Sequence, residues 1–77
     1  SNIGGDFGQY TNNEIGDQMT LLSGADNNLF IGNHFRNATS SLTIASGANN
    51  TVAVGNVSDV AISDSGTGSA VANNTTY

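Results

Sequence analysis

The chain repeats itself with an offset of 23 residues, and this repeat constrains its fold more than any other feature. The stretch from Thr20 to Asn33 reads TLLSGADNNLFIGN and the stretch from Thr43 to Asn56 reads TIASGANNTVAVGN, with seven of the fourteen positions identical. A period of this size is typical of architectures in which each unit is one supersecondary element stacked on the next. We therefore expect a fold built from stacked, similar coils.

Within the repeats, aliphatic residues alternate with small or polar ones, as in a strand with one buried face. No stretch has the i, i+3, i+4, i+7 spacing of an amphipathic helix. The sequence thus predicts an all-β fold, a short parallel β-solenoid of about 22–24 residues per coil. A small antiparallel β-sandwich is the alternative. The predicted inward-facing core residues are Met19, Leu21, Leu29, Ile31, Leu42, Ile44, Val52, Val54, Val60 and Ile62.

Glycine and asparagine recur between the predicted strands. Glycine adopts positive φ freely, so the predicted corners are Gly32, Gly47, Gly55 and Gly66. The amide of asparagine both donates and accepts hydrogen bonds, so identical neighbours in successive coils satisfy one another. We expect such ladders at the paired asparagines, with Asn27 stacked on Asn50 in the same register as Leu29 on Val52 and Ile31 on Val54. The predicted ladder residues are Asn27, Asn28, Asn49, Asn50, Asn73 and Asn74.

The repeat divides the chain unevenly. Residues 1–18 fit it worst and are predicted to be an atypical N-terminal cap or a strand exchanged with a neighbour. Residues 19–77 are predicted to form the solenoid, as coils 19–41 and 42–64 and a partial coil 65–77.

The composition restricts both stability and partners. Asn, Gly, Ser and Thr make up 39 of the 77 residues, and no Cys is present to form disulfide bonds. Such a small apolar core leaves oligomerisation as the remaining source of stability. The net charge is −5 and Arg36 is the single Arg or Lys, which argues against nucleic acid and anionic membranes as partners. No apolar run approaches the ~18 residues of a transmembrane helix.

Residues with catalytic or ligand-binding chemistry are sparse. His34 is the only histidine and has no identifiable catalytic partner, so we expect no enzyme activity. The six acidic residues are scattered, and no cofactor is expected. Calcium is the alternative, because the segments around Asp6 and Asp26 resemble the nonapeptides of calcium-binding β-rolls. Asn37, in the sequon Asn-Ala-Thr, is the candidate glycosylation site.

The segment from Leu29 to Asn74 contains LFIGN, LTIAS, TVAVGN, VAIS and SAVANN. It resembles the β-helical repeats of secreted bacterial adhesins of the filamentous-haemagglutinin type, and is similar to curlin-like subunits of functional-amyloid fibres. These resemblances imply a secreted β-structural protein and transfer no functional residues.

Open strand edges at the two ends of a short solenoid invite stacking of subunits. We therefore expect a secreted, extracellular or cell-surface structural subunit that assembles with itself into a β-rich, cross-β or amyloid-like filament. Its expected role is that of a functional amyloid, a biofilm matrix or a surface fibre. Its partner would be itself, as a homopolymer, with glycans or a host surface as further candidates and without nucleic acid or membrane insertion. One alternative is a fragment of a larger β-helical adhesin with a ligand-binding face. Another is a small antiparallel domain that binds carbohydrate through Phe30, Phe35 or Tyr77.

Overall fold

The protein is a parallel β-solenoid of about four turns, seen in a computed structural model that describes residues 1–36 and 41–77. Three four-stranded sheets form its sides, and every strand pair between coils is parallel. The described residues form no helix, and so none that is long and apolar enough to cross a membrane. The predicted all-β parallel solenoid is confirmed.

Each coil contributes one short strand to each sheet. Sheet A contains β1 (Asn2–Ile3), β4 (Met19–Leu21), β7 (Leu42–Ile44) and β10 (Ser63–Asp64). Sheet B contains β2 (Gln9–Thr11), β5 (Leu29–Ile31), β8 (Val52–Val54) and β11 (Ala70–Ala72). Sheet C contains β3 (Glu14–Ile15), β6 (His34–Phe35), β9 (Val57–Ser58) and β12 (Thr75–Thr76).

The 23-residue offset is the true register between the second and third coils. Leu29 pairs with Val52 and Ile31 with Val54, as the repeat predicts. The same offset relates the two coils in sheets A and C, where Leu21 lies beside Ile44 and Phe35 beside Ser58. Equivalent side chains therefore stack along the axis through the middle of the molecule.

The first and last coils are more complete than the sequence indicates. Residues 2–15 contribute β1, β2 and β3, one strand to each sheet, and so form a first coil where a cap or exchanged strand was expected. The fourth coil begins at Ser63 and supplies β10, β11 and β12. Both outer coils have shorter connections between sheets A and B, residues 4–8 and 65–69 against 22–28 and 45–51. An ungapped comparison therefore does not align them.

The core is a narrow column along the solenoid axis. The fully buried hydrophobic residues are Leu21, Ala25, Phe30, Phe35, Leu42, Ile44, Ala48 and Ala53. Tyr10 of the first coil stacks on Phe30 of the second, with ring centroids 4.7 Å apart and planes 13° from parallel. Met19 and Ile62 are partly buried and pack against this cluster.

The side of sheet B that faces the core is opposite to the one predicted. Phe30 and Ala53, the middle residues of β5 and β8, are completely buried. Because successive side chains of a strand point to opposite faces, their neighbours point outward. The narrow interior takes one side chain from each of these strands, and turning Phe30 inward buries the largest of them. The predicted core residues that face outward here are Leu29, Ile31, Val52 and Val54.

One further predicted core residue, Val60, is 43% exposed. It lies between β9 and β10, on the connection from sheet C to sheet A. Residues on a connection have no strand alternation that would direct them into the core. Of the two predicted core residues on this connection, Ile62 packs against the core and Val60 does not.

The corner between sheets B and C has two residues in every coil. Its first position has positive φ throughout, between 55° and 69°, and is Asn12, Gly32, Gly55 and Asn73 in successive coils. Glycine and asparagine are the residues that adopt this conformation most readily. Gly47 also has a positive φ, of 88°. Gly66 is required for a different reason, because a Cβ atom there would collide with the carbonyl oxygen of Ala48.

Truncation of Phe30 and Ile31 tests which face of sheet B is buried. Phe30→Ala removes a fully buried ring and is expected to lower the free energy of unfolding by about 3–5 kcal/mol. Ile31→Ala, on the outer face of the same strand, is expected to cost about 1 kcal/mol or less. Urea unfolding followed by circular dichroism measures both. A larger loss for Ile31→Ala would show that the opposite face packs inward.

Candidate functional site

The described part of the chain offers no enclosed site for catalysis or metal binding. No pocket opens on its surface, and no three His, Asp or Glu side chains among its residues converge on a common point. His34 lies on the outer side of sheet C, where its Nε2 is 3.2 Å from the hydroxyl of Tyr77. Phe30 and Phe35 are fully buried, which removes them from any carbohydrate-binding surface. Asn37, the candidate glycosylation site, lies outside the described residues.

Asparagines, buried in the two central coils, instead form a continuous ladder along the corner between sheets B and C. It contains one asparagine per coil, Asn13, Asn33, Asn56 and Asn74, each at the second position of the two-residue corner. Asn33 and Asn56 are each only 1% exposed. The first corner residue, with its positive φ, turns the chain so that the second side chain points inward.

Every step of the ladder repeats the same hydrogen bonds. The backbone N–H and the Nδ2 of Asn33 both donate to Oδ1 of Asn56, at 2.9 and 3.0 Å. Asn56 donates in the same way to Asn74, at 2.8 and 2.9 Å. In the second, third and fourth coils the Nδ2 also donates to a carbonyl oxygen of the preceding coil, for example from Asn56 to Phe30 at 3.0 Å. The amides are therefore saturated inside the coil, as buried polar groups must be.

This ladder differs from the one that the sequence predicts. Asn74 belongs to it, but Asn27, Asn50 and Asn73 are exposed turn residues with positive φ, which directs their side chains to solvent. Asn28 is buried and bonds to the backbone of the first coil, accepting from Gly8 N–H at 2.8 Å.

Asn49, the remaining predicted ladder residue, bonds through its backbone. Its N–H donates to Oδ1 of Asp26 at 3.1 Å, and it forms an isolated bridge with Thr67. The sequence pattern missed three ladder residues, Asn13, Asn33 and Asn56, of which the last two stand in the repeated Gly-Asn pairs. Their signal was the recurrence of asparagine after each corner glycine.

The ladder has a direction, and its two ends are complementary. At the end formed by the fourth coil, the backbone N–H of Asn74 has no acceptor among the described residues, although its Nδ2 donates to Ala53. At the end formed by the first coil, Oδ1 of Asn13 receives no hydrogen bond from the described residues. One end thus presents donors and the other presents an acceptor.

The edge strands of sheet B at the two ends of the solenoid also have complementary unpaired backbone groups. In sheet B, Ala70 N–H donates to Thr51 and Ala72 C=O accepts from Gly55, so the N–H and C=O of Val71 between them face the open end. At the other end, Leu29 N–H donates to the carbonyl of Gly8, and by the same alternation the groups of Gln9 face outward. These unpaired edge groups are ready to pair with another parallel strand.

The side chains at the ends differ in polarity. The first coil leaves Ile3, Tyr10 and Ile15 partly exposed against the core. The fourth coil places Val71, which is 37% exposed, in line with Tyr10. Asp64 continues the column of Ile3 in sheet A, and its Oδ1 accepts hydrogen bonds from Gly66 N–H at 3.0 Å and Ser69 Oγ at 3.1 Å.

Charged contacts are few and lie on the surface. Arg36 Nη1 is 3.3 Å from Glu14 Oε2, with both side chains more than half exposed. The amino-terminal nitrogen of Ser1 lies 3.0 Å from Asp17 Oδ2. Hydrogen bonds from this nitrogen and from the Ser1 side chain lower the pKa of Asp17 below its ordinary value. Neither pair lies on the asparagine ladder.

Comparison of the chain with models of protein families, with curated proteins and with solved structures finds no match. The two open ends of the solenoid, defined by the ladder termini Asn13 and Asn74 and the edge strands β2 and β11, are therefore the candidate functional site on their geometry.

Asn56→Asp tests the ladder. The introduced carboxylate cannot donate to Phe30 O, and burial raises its pKa in the folded state. Folding is then favoured by protonation, so the loss of stability is smallest below the unfolded pKa of about 3.9 and grows as the pH rises. At pH 7 we expect a loss of at least about 2 kcal/mol.

Asn50→Asp introduces the same change of charge at an exposed residue of the connection between sheets A and B, and is the matched control. Urea unfolding of both variants between pH 3 and pH 8 should show a difference in stability that widens with pH. Equal stability of the two variants at neutral pH would contradict a structural role for the ladder.

Proposed function

We propose that this chain is a secreted structural subunit that assembles head to tail into an extracellular β-rich filament. The observation that carries the proposal is the complementarity of the two solenoid ends. Stacking the fourth coil of one copy on the first coil of the next brings Asn74 N–H to Asn13 Oδ1. The same movement brings the edge groups of Val71 to those of Gln9.

Burial of the exposed core ends supports the same arrangement. Head-to-tail stacking covers Ile3, Tyr10 and Ile15 of one copy with the fourth coil of its neighbour. The contact between the fourth coil of one copy and the first coil of the next is called the joint. The column of inward residues in sheet B continues across it, from Val71 of one copy to Tyr10 of the next. Apolar surface removed from water contributes roughly 25 cal/mol per Å², which adds to the stability of a small core.

The negative charge is compatible with such a filament. Four coils at ~4.8 Å give an axial repeat of about 19 Å for each copy. This repeat exceeds the Debye length of about 8–10 Å at physiological ionic strength. The charge of −5 per copy is therefore largely screened between neighbours.

An extracellular location is part of the proposal and is supported by composition. The surface carries no Lys and is rich in Asn, Ser and Thr, with a single Arg in the whole chain. Such a surface is unusual for a cytosolic enzyme. The role we propose is mechanical, as in a surface fibre or a biofilm matrix.

Proline substitutions at the two edges test the head-to-tail contact. Val71→Pro removes an N–H that faces the open end of the fourth coil, and Gln9→Pro does the same at the first coil. Each variant alone is expected to fold and to remain monomeric, since every joint needs both a fourth-coil end and a first-coil end and all its copies lack the same one. An equimolar mixture should give dimers and nothing longer, because each variant retains the end that the other lacks.

Val71→Ala is the matched control for the fourth coil, because it keeps the N–H while shortening the side chain, and it is expected to form filaments. Electron microscopy and analytical ultracentrifugation measure the outcome. Wild-type protein that stays monomeric at high concentration would overturn the filament proposal and favour the adhesin alternative. Filaments of normal length from Val71→Pro would exclude this contact as the joint.

Charge at the joint gives a second prediction. Asp64 lies in the coil that meets the next copy, and at low ionic strength, where screening is weak, the six acidic residues make neighbouring copies repel one another. Asp64→Asn keeps an oxygen for Gly66 N–H and removes one charge, so it is expected to shorten the lag time of assembly. Raising the salt from 10 to 150 mM should have the same effect on the wild type. Light scattering follows the kinetics, and a longer lag for Asp64→Asn would contradict the proposed joint.

A further inference from the structure

The outer face of sheet B is apolar, in contrast to the outer faces of the other two sheets. Strand alternation turns the first and last residues of each sheet B strand outward. The outward residues are Gln9, Thr11, Leu29, Ile31, Val52, Val54, Ala70 and Ala72. Ile31 is 40% exposed, while Leu29, Val52 and Val54 are half-buried. Two central coils thus carry a block of four adjacent aliphatic side chains.

The outer faces of sheets A and C carry polar residues, with Val57 as the one exception on their strands. The outward column of sheet A is Asn2, Thr20, Thr43 and Ser63. The outward column of sheet C is Glu14, His34, Val57 and Thr75. Sheet B is therefore the one sheet of the three whose outer face carries two adjacent columns with aliphatic side chains, on either side of its buried middle column.

The charges of the chain lie away from this face. The acidic residues are Asp6, Glu14, Asp17, Asp26, Asp59 and Asp64, and none is on a strand of sheet B. Arg36 also lies outside sheet B and pairs with Glu14. Sheet B is therefore the side on which two copies of this acidic chain can meet without bringing their carboxylates together.

The area of the face decides when such a contact can form. Strands of three residues at ~3.3 Å per residue and four coils at ~4.8 Å give about 200 Å² for each copy. A stable interface needs about 800 Å² from each partner. A single copy falls short by about fourfold, whereas a stack of about four copies presents enough continuous surface.

We propose that the outer face of sheet B binds the same face of a second filament, so that filaments pair side by side. The inference rests on the proposed head-to-tail assembly, which makes the face continuous. Leu29, Ile31, Val52 and Val54 interdigitate with their counterparts across a dry interface, with the two sheets ~10 Å apart. Two filaments pair only after head-to-tail stacking has lengthened them, and stacks of fewer than about four copies do not pair side by side.

Mass per length measured by scanning transmission electron microscopy distinguishes single from paired filaments. A single filament has one chain of 7.8 kDa per ~19 Å, and a paired filament has twice that value. Ile31→Glu places a carboxylate on the apolar face and is expected to halve the mass per length. Thr20→Glu adds the same charge to the outer face of sheet A in the same coil and should leave it unchanged.

A second variant, I31T/V54T, keeps β-branched side chains and adds no charge, so it separates loss of apolar contact from repulsion. It is expected to lower the fraction of paired filaments, and circular dichroism checks that each variant is folded. Single wild-type filaments at every concentration, or equal loss of pairing in Ile31→Glu and Thr20→Glu, would overturn lateral pairing while head-to-tail assembly stands. A wild type that forms no filaments overturns both.

Discussion

The asparagine ladder at the corner between sheets B and C is the interaction on which the rest of the solenoid depends. Each corner is two residues long and begins with a residue of positive φ, and the asparagine that follows lies on the ladder and is buried in the two central coils. Its amide bonds to the asparagines of the coils on either side, which fixes the axial register of sheets B and C together. Phe30 and Phe35, on the strands that flank this corner, are held facing the same core.

The direction of the ladder links the fold to the proposed assembly. Because every step donates from one coil to the next in the same sense, the molecule has unlike ends, and only a head-to-tail arrangement of copies satisfies both. In the proposed filament, the bonds that hold the single chain together would be repeated between copies. Folding and polymerisation are then the same reaction carried out within and between chains.

The repeat in the sequence predicts the architecture and the register of the central coils, because coils two and three have connections of equal length. It does not predict the outer coils, whose connections between sheets A and B are two residues shorter. The hydrophobic pattern also does not predict which face of sheet B is buried. In Leu29-Phe30-Ile31 and Val52-Ala53-Val54 every residue is apolar, so alternation is compatible with either face, and the volume of the interior decides.

The connection between sheets C and A varies in length where the corner between B and C does not: three residues lie between β3 and β4, and four lie between β9 and β10. Register is set elsewhere, so this edge accepts additional residues without a change in the stacking. A peptide or binding module inserted there would recur once per copy along one edge of the proposed filament, about 19 Å apart. The edge is thus a place where new functions can be displayed in a regular array on an unaltered scaffold.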